Sequence, residues 1–383
     1  MVGVVIGRPV SYGILSSAAP TVCGLATFTA ALAKELERKG NVVSLVRVLD
    51  EAEEPSSSKI PIIANLIGSD WRTVETAARA LNRCDVAIVQ HEYGLYGGED
   101  GDDVVRLLHL LAVPTIAVLH TVLSRPLPNQ RDVLNEVIKS VDSVVVMTKS
   151  AEQTLREVFE VGNTPISVIP HGATVVGSNG QRERNARPTI LTWGLLGPGK
   201  GIEWVIDTMA TLKDLVPTPL YIVAGRTHPK VLVREGESYR RKLMDQVVDI
   251  GVGDMVHFDN TYRDLLSLTS LIENADVVVL PYDSKDQATS GVLVDAIAAG
   301  RPVIATPFPH AIELLCSGAG IIVDHEDPSS LARALRDVLT NSTVSENMKR
   351  EARRLSLGLS WESVAVQYLE LNEFMLKRTD VSA

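Results

Sequence analysis

A chain of 383 residues that is 45% hydrophobic, 22% charged and only 4% aromatic has the length and composition of two folded domains with aliphatic cores, which excludes disordered and fibrous classes. Its formal net charge of −10 argues against sequence-independent nucleic-acid binding, because that requires a Lys/Arg surface to neutralise phosphates. Three widely spaced cysteines, Cys23, Cys84 and Cys316, form neither a disulfide framework nor a CxxC metal motif; with no secretory leader and no apolar run long enough to span a bilayer, a cytoplasmic location is expected.

Short β-branched runs alternate with helix-period segments along the chain, the pattern of parallel strands joined by crossover helices. The first series of strands is predicted at residues 2–6, 42–48, 86–89, 115–119 and 143–147. Between the first two, Leu25, Phe28, Leu32 and Leu36 recur three and four apart, and Gly40 follows as a helix stop. A polar stretch, residues 177–188, reads as an interdomain linker. The second series is predicted at residues 189–193, 220–224, 255–258, 277–280, 303–305 and 321–323. The expected organisation is therefore an α/β chain of two doubly wound, Rossmann-like domains facing across a cleft. Residues 1–176 and 189–359 form the domains, and a final helix over 360–383 returns to the first, because Trp361, Val364, Tyr368 and Leu371 fall at helical spacing. Ligands of parallel sheets sit beyond the C-terminal strand ends, so the chemistry is sought in the loops there.

The most informative loop begins PYDSKDQATSGVLVDAIAAGRPVIATP, residues 281–307. Ser290 can cap a helix whose first amides, at Gly291 and Val292, would meet an anion such as a diphosphate; Asp295, one turn on, could accept from ribose hydroxyls. An ordinary capped crossover helix has the same start. In LHTVLSRP, His120 ends a strand, and in QHEYGLYGGEDG the pair His91 and Glu92 follows another; acceptor recognition and simple loop solvation both fit the latter pair. His171, His228 and His310 are isolated histidines in loops, and no HxxxH or strand-end DxD spacing points to a metal.

The 281–307 segment resembles the donor-binding motif of family 4 retaining glycosyltransferases, in which two glutamates eight residues apart flank a phosphate-binding helix start. Here those positions are Gln287 and Asp295, so the first lacks a charge and the second has a shorter reach. WGLLGPGKGIEWVIDTM, residues 193–209, is similar to the family's GRLxxxKG loop; Lys200 matches the phosphate-binding lysine, and Leu195 stands where an arginine is usual, leaving Arg226 or Arg263 as substitute cations. PTVCGLATFTAAL resembles the family's first glycine loop, with Gly24 close to the donor, and His120 falls where a histidine stands beside the transferred sugar.

The resemblance implies a GT-B fold and transfer, with retention, of a mannose- or glucose-type hexose from a nucleotide diphosphate sugar of the GDP-mannose or UDP-glucose type to a carbohydrate or glycoconjugate hydroxyl. His120, Gln287 and Lys200 would be catalytic. Gly24, Lys200, Arg226, Arg263, Ser290, Gly291, Val292 and Asp295 would bind the donor, and His91 and Glu92 the acceptor. No metal, cofactor or nucleic acid is implied, and peripheral membrane contact and the oligomeric state stay open. Two alternatives remain: a non-catalytic nucleotide or carbohydrate binder, favoured by Gln287 and Leu195, and a GT-B nucleotide-sugar epimerase using His91 and Glu92. A nicotinamide dehydrogenase lacks its GxGxxG after the first strand.

Overall fold

The computed structural model describes residues 8–21, 23–50, 58–68, 70–174, 186–261 and 263–382. The chain divides into two compact units, Met1–Gly172 with Trp361–Ala383, and Ala173–Ser360.

Unit 1 runs β1 (Ser11–Ser16), α1 (Gly24–Arg38), β2 (Val42–Leu49), β3 (Ile62–Ile67), α2 (Trp71–Leu81), β4 (Val86–His91), α3 (Asp103–Leu108), β5 (Thr115–Leu119), α4 (Pro128–Lys139), β6 (Ser143–Val146), α5 (Lys149–Val158) and β7 (Ile166–Val168). Its seven strands are parallel in the order β3-β2-β1-β4-β5-β6-β7, so the winding reverses between β1 and β4. The strand expected at residues 2–6 lies outside the described residues. Its place between β2 and β4 is taken by Ser11–Ser16, whose first residue is pinned by Asp85: the carboxylate accepts from the Ser11 amide at 2.8 Å and from its hydroxyl at 2.7 Å. β3 and β7 are additional to the strands predicted from the sequence.

Unit 2 runs β8 (Thr189–Trp193), α6 (Ile202–Met209), β9 (Leu220–Ala224), α7 (Pro229–Glu235), α8 (Ser238–Ile250), β10 (Val256–Asp259), α9 (Leu265–Asn274), β11 (Val277–Leu280), α10 (Gly291–Ala298), β12 (Val303–Ala305), α11 (Pro309–Leu315), β13 (Gly320–Ile322), α12 (Pro328–Thr340) and α13 (Ser342–Leu359). The six strands are parallel, ordered β10-β9-β8-β11-β12-β13, and the winding reverses between β8 and β11. Residues 177–185 of the expected linker lie outside the described residues. Arg187 belongs to unit 2, donating to the carbonyls of Thr218, Pro219 and Asp254.

Successive side chains of a strand point to opposite faces, and the cores follow that rule. Ile190, Val277, Val279 and Ile304 enter one cluster with α6, α8 and α12, while Leu191, Val278, Leu280, Val303 and Ala305 enter another with α10, α11 and α13. In unit 1 the last helix, α14 (Trp361–Ser382), supplies Trp361, Val364, Tyr368 and Leu371 to the core made by Ile14, Phe28, Leu32 and Ile88. Each such apolar side chain removed from water is worth roughly 1.5–3 kcal/mol, which fixes α14 to unit 1.

Candidate functional site

In unit 2 the loops after β8 and β11 flank the point where the winding reverses, the place where parallel sheets open a crevice. These loops are bonded to one another: the Asp283 amide donates to the Gly199 carbonyl at 3.0 Å, and the Trp204 indole donates to the Asp283 carboxylate at 3.1 Å. Gly201 makes the approach feasible. It has φ +64°, and a Cβ there would lie 1.7 Å from the Pro281 carbonyl oxygen. Gly225, after β9, approaches Gly194 in the same way, with 1.9 Å between a built Cβ and the Gly194 carbonyl oxygen.

Ser290 caps α10, its hydroxyl accepting from the Leu293 amide at 3.3 Å. The amides of Gly291 and Val292 lie in the first turn, where a helix offers no internal acceptor, so they and the helix dipole favour an anion at that end. The Ser290 amide donates to Nδ1 of the buried His310 at 2.8 Å, which leaves the imidazole proton on Nε2. The cap is thus braced from the first turn of α11, which follows β12. Lys200 is half-buried on the β8 side, its Nζ 4.4 Å from the centroid of the Tyr282 ring, and burial lowers its pKa. Asp295 follows one turn into α10, where burial pushes its carboxyl up to about 7. Gln287 is held by its own amide, which donates to the Thr289 carbonyl at 3.0 Å.

The structure therefore brings Lys200, Gln287, Ser290, Gly291, Val292 and Asp295 to the β8–β11 switch point. Arg226 is exposed just beyond β9, and its carbonyl accepts from the Leu196 amide of the Lys200 loop at 2.8 Å. Arg263 is placed elsewhere. It follows β10, about 14 Å across the sheet from β11 at roughly 4.8 Å per strand, and its guanidinium is ion-paired with Asp259. Tyr282 and His310 carry more of this geometry than sequence reasoning assigned them; an aromatic directly after a strand-ending proline was the one available signal for Tyr282.

Unit 1 has its own reversal, between β1 and β4, and its polar residues gather there. α1 starts at Gly24 under a Cys23 cap, whose sulfur accepts from the Ala26 amide at 3.4 Å and lies 3.0 Å from the Ser17 hydroxyl. A Cβ on Gly24 would meet nothing within 4 Å. His120 ends the β5 loop start with Nε2 2.5 Å from the Gln90 side-chain oxygen and its ring edge-to-face with Phe28 at 5.0 Å. Phe28 also meets His171 at 5.2 Å and Trp361 at 4.9 Å. Burial, with His171 and His91 nearby, lowers the His120 pKa to about 3; burial alone lowers His91 to about 4. His91 and Glu92 diverge. His91 is 1% exposed against Tyr93, whereas Glu92 is half-buried and accepts from the Thr121 hydroxyl at 2.6 Å. Among the described residues no helix is long and apolar enough to cross a membrane.

Residues 22–175 match the family model described as Glycosyltransferase Family 4, and residues 178–355 match the one described as Glycosyl transferases group 1. A D-inositol 3-phosphate glycosyltransferase from Corynebacterium urealyticum is 27% identical over 255 residues, 62% of this chain. The chain spans 57% of that relative's length. Among solved structures, the fold is similar to the Anabaena protein HepE in complex with UDP and glucose, with TM-score 0.75, 15% identity and 95% of this chain and 99% of that chain covered. It is also similar to a glycosyltransferase from Rickettsia africae, with TM-score 0.76, 15% identity and 97% of this chain and 100% of that chain covered. A glycosyltransferase family domain is thus matched in each half of the chain, and its fold is that of GT-B glycosyltransferases.

Proposed function

We propose that the chain transfers a mannose- or glucose-type hexose from a nucleotide diphosphate sugar to a hydroxyl of a carbohydrate or glycoconjugate acceptor, with retention and without a metal. One observation carries the reading: at the β8–β11 switch point the Ser290-capped start of α10 and the half-buried Lys200 ammonium offer amides and a cation to one anionic group. A diphosphate leaving group fits that pairing, because its charge grows as the glycosidic bond breaks and preorganised donors stabilise growing charge most. Asp295 would take the ribose hydroxyls, and Gln287 the sugar. His120 and Gly24 of unit 1 are proposed for sugar and donor contact on the resemblance of their loops. The acceptor oxygen forms its bond to the anomeric carbon on the face the diphosphate leaves, and its proton passes to the departing phosphate oxygen.

The bond from the Gln287 amide to Thr289 favours a second reading, a nucleotide-sugar binder without transfer, since an amide brings no charge to an oxocarbenium-like transition state. The epimerase reading loses support, because His91 is buried. Binding of UDP, GDP and their hexose conjugates to the wild type, Lys200→Ala and Asp295→Ala, followed by transfer assays with D-inositol 3-phosphate among the acceptors, tests the proposal. Donor binding weakened at least about tenfold by either substitution is expected, one charge-assisted hydrogen bond being worth that much. Absence of binding to every nucleotide overturns it, and binding without transfer or donor hydrolysis selects the second reading.

A further inference from the structure

Lys200 sits on a loop between Gly199 and Gly201, both at positive φ, so the backbone alone does little to aim its four-carbon stem. Something else must hold the ammonium at the crevice. The Tyr282 ring does so: Lys200 Nζ lies 4.4 Å above its centroid, within the range where a cation is attracted by the negative face of an aromatic ring. Tyr282 itself cannot swing. It is 2% exposed and stacked on Phe308 at 5.3 Å with an interplanar angle of 27°, and its carbonyl accepts from the Thr306 hydroxyl at 2.6 Å.

We propose that Tyr282 is a positioning residue of the diphosphate site, its buried and stacked ring face seating the Lys200 ammonium at the crevice. The proposal rests on the nucleotide-sugar reading of this site. It also accounts for an aromatic residue two positions after the strand: an aliphatic side chain would fill the space against Phe308 and leave the ammonium without a partner.

The test combines a direct probe of the seat with a functional one. NMR shifts of the Lys200 side-chain methylenes, moved upfield by the ring current, are measured in the wild type, Tyr282→Phe and Tyr282→Leu without nucleotide. Affinities for UDP and GDP are measured in the same proteins with and without Lys200→Ala. The upfield shift is expected to persist in Tyr282→Phe and vanish in Tyr282→Leu. Affinity should stay within about threefold in Tyr282→Phe and fall about tenfold in Tyr282→Leu, where Lys200→Ala should add less than about twofold. Lys200 shifts that ignore Tyr282→Leu, or a Lys200→Ala loss as large in Tyr282→Leu as in the wild type, overturn the proposal. Should Tyr282→Leu fail to fold, a difluorinated tyrosine at position 282 weakens the negative face of the ring while keeping its shape, and the same two outcomes decide. A wild type that binds no nucleoside diphosphate overturns the diphosphate role together with the donor reading, while the ring-current shift still decides the seat of Lys200 on its own.

Discussion

The side-chain amide of Gln287 donates to the carbonyl of Thr289 at 3.0 Å, a bond that a glutamate carboxylate has no proton to make. Gln287→Glu would set two acceptors against each other, so the charged side chain must turn away from its present place. A stability loss of about 1 kcal/mol is expected, read as a lower unfolding midpoint. Affinity for the bare nucleoside diphosphate should stay within about twofold, because the cap and Lys200 are untouched, while affinity for the intact nucleotide sugar changes. Equal losses for both ligands would place Gln287 at the phosphates.

Lys200→Ala removes a half-buried cation from the anion site and leaves no neighbouring lysine on its loop. Calorimetry should show UDP or GDP binding weakened about 10- to 100-fold, the range of one charge-assisted contact. The thermal midpoint without nucleotide should barely move.

Asp295 supplies a pH dependence. Burial raises its carboxyl from the ordinary value of 3.8 to about 7, so the group is a neutral acid at pH 6 and a carboxylate at pH 8. Ribose hydroxyls donate better to the charged form, and donor affinity should therefore rise across that interval in the wild type and stay flat in Asp295→Asn. The stability sign is opposite: a raised folded pKa means stability is fully present below 3.8 and is lost as pH rises through about 7. Asp295→Asn should melt with the wild type near pH 4 and above it at pH 8, and coincident melting at both would rule out the buried carboxylate.

Three histidines of unit 1 act the other way. Burial lowers His91 and His171 to about 4, and burial with the neighbouring histidines lowers His120 to about 3. Each depressed value means stability present above the ordinary 6.5 and lost as pH falls toward the folded pKa, at about 1.4 kcal/mol per pH unit per group. Thermal midpoints should drop steeply between pH 6.5 and 5, and less steeply in His91→Phe. A flat profile in the wild type would show that these rings are free to protonate in place.

Gly201→Ala and Gly24→Ala form a contrasting pair. At 201 a methyl group would collide with the Pro281 carbonyl at 1.7 Å and the backbone has φ +64°, so a loss of several kcal/mol is expected. At 24 the methyl enters open space. Gly24→Ala should melt like the wild type, and any loss in sugar or acceptor binding there reads directly as contact with a ligand.

Strands built from runs such as VVVL at 277–280 were legible, because a strand buried on both faces must be apolar without a break. Ser11–Ser16 was not. Its polar ends and central glycine hide a strand whose interior is Tyr12, Ile14 and Leu15. The Ser290 cap was readable because capping is local. His310 under the Ser290 amide and Tyr282 under Lys200 were not, since each joins two strand ends that only the parallel sheet brings side by side.

α14 lies in the core of unit 1 although all of unit 2 separates it from β7 in the chain. During synthesis, unit 2 is therefore complete before the residues that seal unit 1 exist, and Ile14, Phe28 and Leu32 wait with one side of their core uncovered. A stop codon after Ser360 would leave the second unit whole and the first unclosed, so the final helix works as a latch that closes only after the second unit has been made.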